Sequence, residues 1–258
     1  MDAPKQLESF KQFTWKIPPP DGGGRQTQLL YRRVIAWSGV ALILLCALYW
    51  LGSGKPLLNS ISAHYYTPVH GAFVGILCML GYSLVCYSGF SAVEKVCAIV
   101  GGICAFGVAL FPTYEESGKA ISDLIPIVSS QTAGNIHNGS AGGLFFMFMI
   151  FSGVFFVRNS ALEAKWPLTG PGWFRSIWKT LLWSLFGKAD WDDPRTGGKV
   201  RRDAIYRGCA LAIFLSFVLI FTNALWSFWT YSLIFAEAVS ISAFALSWLT
   251  KAEQLFGE

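Results

Sequence analysis

Histidine is the scarcest chemistry-bearing residue in this 258-residue chain, with three copies, and charge is scarce too, at 14% of residues against 53% hydrophobic. Soluble domains carry roughly 25% charged residues, so so little charge, with a mean hydropathy of +0.47, excludes an ordinary water-soluble globule. The six cysteines, Cys46, Cys78, Cys86, Cys97, Cys104 and Cys209, lie inside apolar runs, and none is paired as C-x-x-C. That excludes a disulfide frame and a zinc knuckle, and leaves them as small packing residues. No H-x-x-x-H spacing occurs either, so a compact helical metal motif is missing. The net charge of +5 follows the borders of the apolar runs instead of forming a basic domain, and no nucleic-acid partner is expected.

What is present is a series of long apolar runs. They predict an all-α fold, a polytopic six-transmembrane-helix bundle with spans at about 34–51, 69–87, 93–111, 136–157, 204–222 and 227–249, near the ~20 residues that cross a hydrocarbon core. Residues 1–31, with Pro18-Pro19-Pro20 and Gly22-Gly23-Gly24, read as an irregular tail ahead of a retained signal anchor. Residues 113–135 read as a loop whose apolar segment, 121–128, is too short to span. The longest connection, 158–203, contains an amphipathic stretch at 173–186 between spans four and five. There Trp173, Phe174, Ile177, Trp178, Leu181, Leu182 and Leu185 share one face and Arg175 and Lys179 the other, the pattern of a helix lying in the membrane plane. Arg195, Lys199, Arg201 and Arg202 follow as a basic run, read as a topology anchor or as an attractor of anionic lipid. Gly139-x-x-x-Gly143 on the fourth span, and Gly101, Gly102, Ala105 and Gly107 on the third, suit close helix approach.

Of the 20 Lys and Arg residues, only Lys55 and Lys119 fall on the side opposite the N-terminus. The positive-inside rule then puts both termini in the cytoplasm and all three histidines on the outer side.

Rare polar residues nominate the site. His64 and His70 sit in a stretch, residues 60–75, where a loop becomes a helix, and His137 opens the fourth span. Glu237 is the one ionisable residue near the middle of a span, with Thr230, Ser240 and Ser247 on its side of the helix. A residue so placed faces the bundle interior and has a partner, either as a proton or ion relay or substrate contact, or as a protonated group bonded to a neighbouring helix. We therefore expect Ser62, Tyr66, His70, His137 and Glu237 to converge on one polar pocket in the outer leaflet.

Three functional readings follow. The first is a non-enzymatic lipid-contacting, transport or assembly protein, with membrane lipid and a membrane-protein partner or second copy as its contacts. The second is a metal-dependent hydrolase of lipid amides or esters: His64, His70 and His137 hold one zinc, leave a fourth position for water, and draw a catalytic or orienting carboxylate from Glu115, Glu116 or Asp123. The third is a haem-binding electron carrier with histidine ligation at the outer boundary. The bland alternative for all three histidines is anchoring of helix ends at the interface.

Several landmarks fall in a recognisable order: Ser60-Ile-Ser-x-x-Tyr-Tyr66, Phe73-Val-Gly75, Gly107-Val-Ala-Leu-Phe-Pro-Thr113, His137, Ile205-Tyr-Arg207, and Glu237 followed by Ser247-Trp248-x-x-Lys251. Over about residues 33–251 this resembles a family of bacterial six-span integral membrane proteins known only as a domain of unknown function, which implies a bacterial inner-membrane location. In that family an Arg-Asp pair often precedes the Phe-Val-Gly element. Here His70-Gly71 stands in its place, which removes a carboxylate. The serine and histidines near the outer boundary also resemble, distantly, the alkaline-ceramidase and adiponectin-receptor hydrolases. Those enzymes have seven spans and a paired-histidine motif in the last, and this sequence has neither.

Overall fold

The computed structural model describes residues 22–113, 129–158, 160–170, 172–187 and 197–252. Among them every regular element is helical: α1 (Gly22–Ser53), a 3-10 turn (Ser62–Tyr66), α2 (His70–Cys86), α3 (Ala92–Leu110), α4 (Ser130–Ile150) continued by a π turn (Phe151–Phe155), α5 (Ser160–Lys165), α6 (Trp173–Phe186), α7 (Gly197–Trp226) and α8 (Ser232–Lys251). Five of these helices, α1, α3, α4, α7 and α8, are long and apolar enough to cross a membrane, and α2 is apolar but only 17 residues long.

The helix ends follow from local chemistry. Pro68 lies just ahead of α2 and Pro112 just beyond α3, where a missing N–H and a fixed φ interrupt the ladder. Ser91 caps α3 by accepting from the Glu94 N–H at 3.1 Å, and the Glu94 carboxylate folds back onto the Phe90 N–H at 2.8 Å. Gly89, at φ +63°, makes that turn feasible, because a Cβ there would meet the Glu94 side chain at 2.7 Å.

Consecutive long helices pack as neighbours, α1 on α2, α2 on α3, α3 on α4, α4 on α7 and α7 on α8, and α8 returns to α1. The result is a ring of six helices with two poles. One pole, the histidine end, carries the 3-10 turn and the start of α4. The other, the basic end, carries Arg32, Arg158, Lys199 and Lys251. α2 and α3 approach closely: a Cβ on Gly102 would lie 2.7 Å from the Gly81 carbonyl and 2.6 Å from Val85 Cγ2. On α4, Gly143 faces Cys104 across to α3 while Gly139 faces open space, so the G-x-x-x-G spacing is used at one of its two positions.

The axis is filled. Phe148 and Phe244 stack at 3.5 Å between centroids, and Trp248 sits among Tyr87, Phe151 and Phe156 at 5.0–5.3 Å. Outward, the helices expose Leu44, Leu48, Val96, Ile103, Leu215 and Phe221. Large apolar side chains on the outside and an aromatic column within are the inverse of a water-soluble bundle, whose outer face is polar.

Several boundaries differ from the sequence expectation. α1 begins at Gly22 within the expected irregular tail, because no proline follows Pro20 and the stretch from Thr27 to Arg33 carries good helix formers. α7 takes in the basic segment from Lys199 to Arg202 and runs through Asn223–Trp226, so the turn before α8 falls at 227–231 instead. α4 starts at Ser130, where Ser129 caps it by accepting from the Thr132 N–H. α6 matches the amphipathic stretch, but its small polar residues Ser176, Thr180 and Ser184 turn inward with Ile177 and Leu181, while Trp173, Phe174, Trp178, Leu182 and Phe186 are exposed. The sequence pattern puts Ile177 and Leu181 on one face with the aromatics, and the structure turns both inward. The inward side fits because Gly153 leaves room for Leu181 and Ser184 against the π turn. Glu115, Glu116, Asp123, the 121–128 segment, residues 1–21 and Arg195 lie outside the described residues.

Candidate functional site

At the histidine end, residues 59–66 plug the ring. Glu237, on α8 and 6% exposed, accepts from the Ile61 N–H at 2.5 Å, and one turn earlier the Ile234 N–H reaches the Asn59 carbonyl at 3.0 Å. The plug is tightened from within by Ser60 Oγ, which accepts from the Ala63 N–H at 3.0 Å. Beneath it lies a cavity of about 30 Å³ lined by Ile61, Ser62, Phe73, Leu144, Glu237 and Phe244, among others, enough for one or two waters. It brings Ser62 and Glu237 together, with the Ser62 side chain in hydrogen-bonding reach of the carboxylate. Tyr66, His70 and His137 are not among its lining residues.

Those three lie around the plug. The Tyr66 hydroxyl donates to the Thr113 carbonyl at 2.5 Å, tying the plug to the end of α3. Each imidazole directs Nδ1 at a backbone carbonyl: His64 at Ile61 (2.9 Å), His70 at Tyr65 (2.8 Å) and His137 at Phe111 (2.7 Å). A carbonyl can only accept, so Nδ1 carries the proton in each. In His137 that leaves Nε2 buried with no hydrogen-bond partner, the arrangement of a ligating histidine. Grouping is what is missing: among the described residues no three of His, Cys, Asp and Glu come close enough to hold a metal ion. His64 instead packs edge-on to Tyr49 and His70 to Tyr65, with centroids 5.6 and 4.3 Å apart. Burial pushes the His64 imidazole below its ordinary 6.5, which favours the neutral ring. Of the stripe expected beside Glu237, Ser240 and Ser247 face inward, Ser247 accepting from Ser152 Oγ at 3.0 Å, whereas Thr230 precedes α8 and is exposed.

The basic end holds a second and larger cavity, about 250 Å³, lined by Arg32, Phe90, Phe156, Arg158, Lys199, Arg202, Asp203, Tyr206, Thr250 and Lys251. Arg32 is 8% exposed, its guanidinium lies over the rings of Tyr87 and Phe90 at 5.8 and 5.1 Å, and its Nε has no hydrogen-bond partner. The Lys251 ammonium lies over Phe90 and Phe156 at 5.4 and 5.3 Å. Arg158 is turned towards α6, donating to the Trp166 carbonyl at 2.7 Å. Sequence reasoning flagged Lys199 and Arg202, in the basic run read as a topology anchor or an attractor of anionic lipid, but not the cavity, because Arg32, Arg158 and Lys251 join them from elements far apart in the chain. The further signal was that all of them fall on the same side of the apolar runs.

Among the described residues these features define the class: a helical bundle with five helices long and apolar enough to cross a membrane, a plugged pole and a basic pole. Comparison with protein-family profiles, with curated proteins and with solved structures returns no match.

Proposed function

We propose that this chain is an integral membrane protein in which the five long apolar helices and the shorter α2 cross the bilayer, with both termini in the cytoplasm, and that it works as a non-enzymatic lipid-contacting or assembly protein. α2 has 17 residues, the lower limit for a spanning helix, and the adjoining plug covers its short side. In this reading α6 lies in the inner interface and turns Trp173, Phe174 and Phe186 to lipid, ready for lipid, a membrane partner or a second copy. The observation that carries the reading is the commitment of the rare polar side chains to the fold. Glu237 holds the plug, the three imidazoles hold backbone carbonyls, and the axis between the poles is filled with aromatic rings.

One observation favours a second reading, a zinc-dependent lipid hydrolase on His64, His70 and His137: the Nε2 of His137 is buried without a hydrogen-bond partner. Metal analysis of protein purified without chelators separates the two. We expect no stoichiometric zinc, no haem absorption and co-purifying phospholipid. A near-stoichiometric metal lost in both His70→Ala and His137→Ala would transfer the reading to the hydrolase. Orientation is tested in a cysteine-free background with an impermeant thiol reagent: Lys55→Cys is expected to label from outside intact cells and Gly198→Cys only after permeabilisation.

A further inference from the structure

The basic cavity has a charge balance that the fold alone does not explain. Five cationic side chains, Arg32, Arg158, Lys199, Arg202 and Lys251, line it against the single carboxylate of Asp203. Glu94 is a second carboxylate close by, accepting from the Tyr87 hydroxyl and the Phe90 N–H at 2.8 Å each and acting on Lys251, so five cations stand against two carboxylates. Gathering cations in a partly dehydrated mouth is unfavourable unless an anion compensates them. Arg32 is the sharpest case, a guanidinium more than nine-tenths buried with an Nε that donates to nothing. A helix needing only a topology anchor keeps its arginine in water or snorkels it to the surface.

We propose that this mouth of the ring is a binding site for a phosphate-bearing anion, held by Arg32, Lys199, Arg202 and Lys251. The guanidinium fork matches phosphate oxygens and the ammonium groups add point charge. Size restricts the ligand. The cavity, at about 250 Å³, is smaller than the roughly 300–1,000 Å³ of sites that enclose drug-sized molecules, so it takes a phosphate group and not a whole nucleotide. Phe90, 70% exposed beside the cavity, gives an apolar neighbour to whatever carries the phosphate. Two sources share this chemistry, the headgroup of a membrane phospholipid and free phosphate. The site does not depend on the reading of the histidine end, and it would stand whether or not the protein proves to be an enzyme.

The test uses the full chain in nanodiscs of neutral phosphatidylcholine, followed by thermal melting and native mass spectrometry. One arm titrates inorganic phosphate against chloride at fixed ionic strength, and the other replaces part of the lipid with phosphatidic acid. A rise in melting temperature with phosphate over chloride supports the site with a soluble ligand. A rise, with retained lipid, in the phosphatidic acid arm alone supports it with a lipid ligand. Arg202→Gln and Lys199→Gln, on partly exposed positions that should fold, are each expected to weaken the response about tenfold, and Arg32→Gln at least as much. Lys55→Gln at the opposite pole should leave it unchanged. Indifference of the wild type to both probes, or wild-type binding by both Arg202→Gln and Lys199→Gln, would overturn the proposal.

Discussion

The two poles of the ring handle polar groups in opposite ways. At the histidine end Glu237 meets the Ile61 N–H and each imidazole Nδ1 meets a carbonyl, so polar atoms there close the structure. At the basic end Arg32 keeps a buried Nε without a partner beside four other cations, so polar atoms there leave it open to a ligand. Removing a polar group should therefore cost stability at the first pole and binding at the second. Rarity in the chain drew attention to the histidines, and His137 does keep a buried Nε2 without a partner, but the cluster of like charges lies among commoner residues.

The largest effect is expected from Glu237→Ala. It strips the Ile61 N–H of its acceptor and opens the small cavity below, for a loss of about 3 kcal/mol, read as a lower melting temperature in detergent. Glu237→Gln keeps a carbonyl oxygen that can accept the same bond and should lose much less. If the alanine variant melts like wild type, the plug is not held as described.

Next comes the scaffold shared by both poles. Gly102→Ala forces a Cβ against Val85 and the Gly81 carbonyl and should cost about 2 kcal/mol, whereas Gly139→Ala, facing open space, should be neutral or stabilising by up to about 1 kcal/mol. Equal effects at the two glycines would contradict the α2–α3 contact.

Arg32→Met sharpens the comparison. It keeps the apolar stem, removes a buried charge whose Nε has no partner and forfeits contacts over Tyr87 and Phe90, so the unliganded protein should melt within about 1 kcal/mol of wild type. A buried carboxylate and a buried guanidinium would then differ in sign of purpose, one structural and one for binding. A collapse as large as that of Glu237→Ala would make Arg32 structural as well.

The smallest effect concerns His64. Its folded pKa lies below the ordinary 6.5, so the unfolded chain binds the extra proton first. Its contribution is complete above the unfolded value and is lost as pH falls from there towards the folded one. Melting temperature should drop from about pH 7.5 to about pH 5.5, and the drop should shrink in His64→Gln. A pH response identical in the variant would remove His64 as its source.

How much of this was legible beforehand depends on the range of the interactions. α2 and α3 could be read because prolines flank them and capping residues sit at fixed offsets, all local signals. The start of α1 could not, since the helix extends past the apolar run into polar residues that are equally content outside a helix. Periodicity located α6, but its inward face is set by Gly153 and the π turn on another helix. Glu237 was recognisable as a buried carboxylate, and Ser62 as its neighbour in the cavity was named with it. That its partner is a backbone N–H some 176 residues away is a tertiary fact. The basic cavity depends on residues of α1, α7 and α8 and the end of α4 meeting, which no window along the chain contains.

The most direct measurement is thermal melting of Glu237→Ala and Arg202→Gln in neutral and in phosphatidic-acid nanodiscs. We expect Glu237→Ala to melt lower than wild type in both yet keep the full lipid-induced rise, and Arg202→Gln to start near wild type and lose that rise. The reverse pattern, a lost rise in Glu237→Ala with an intact one in Arg202→Gln, would contradict the division between a closing pole and a binding pole.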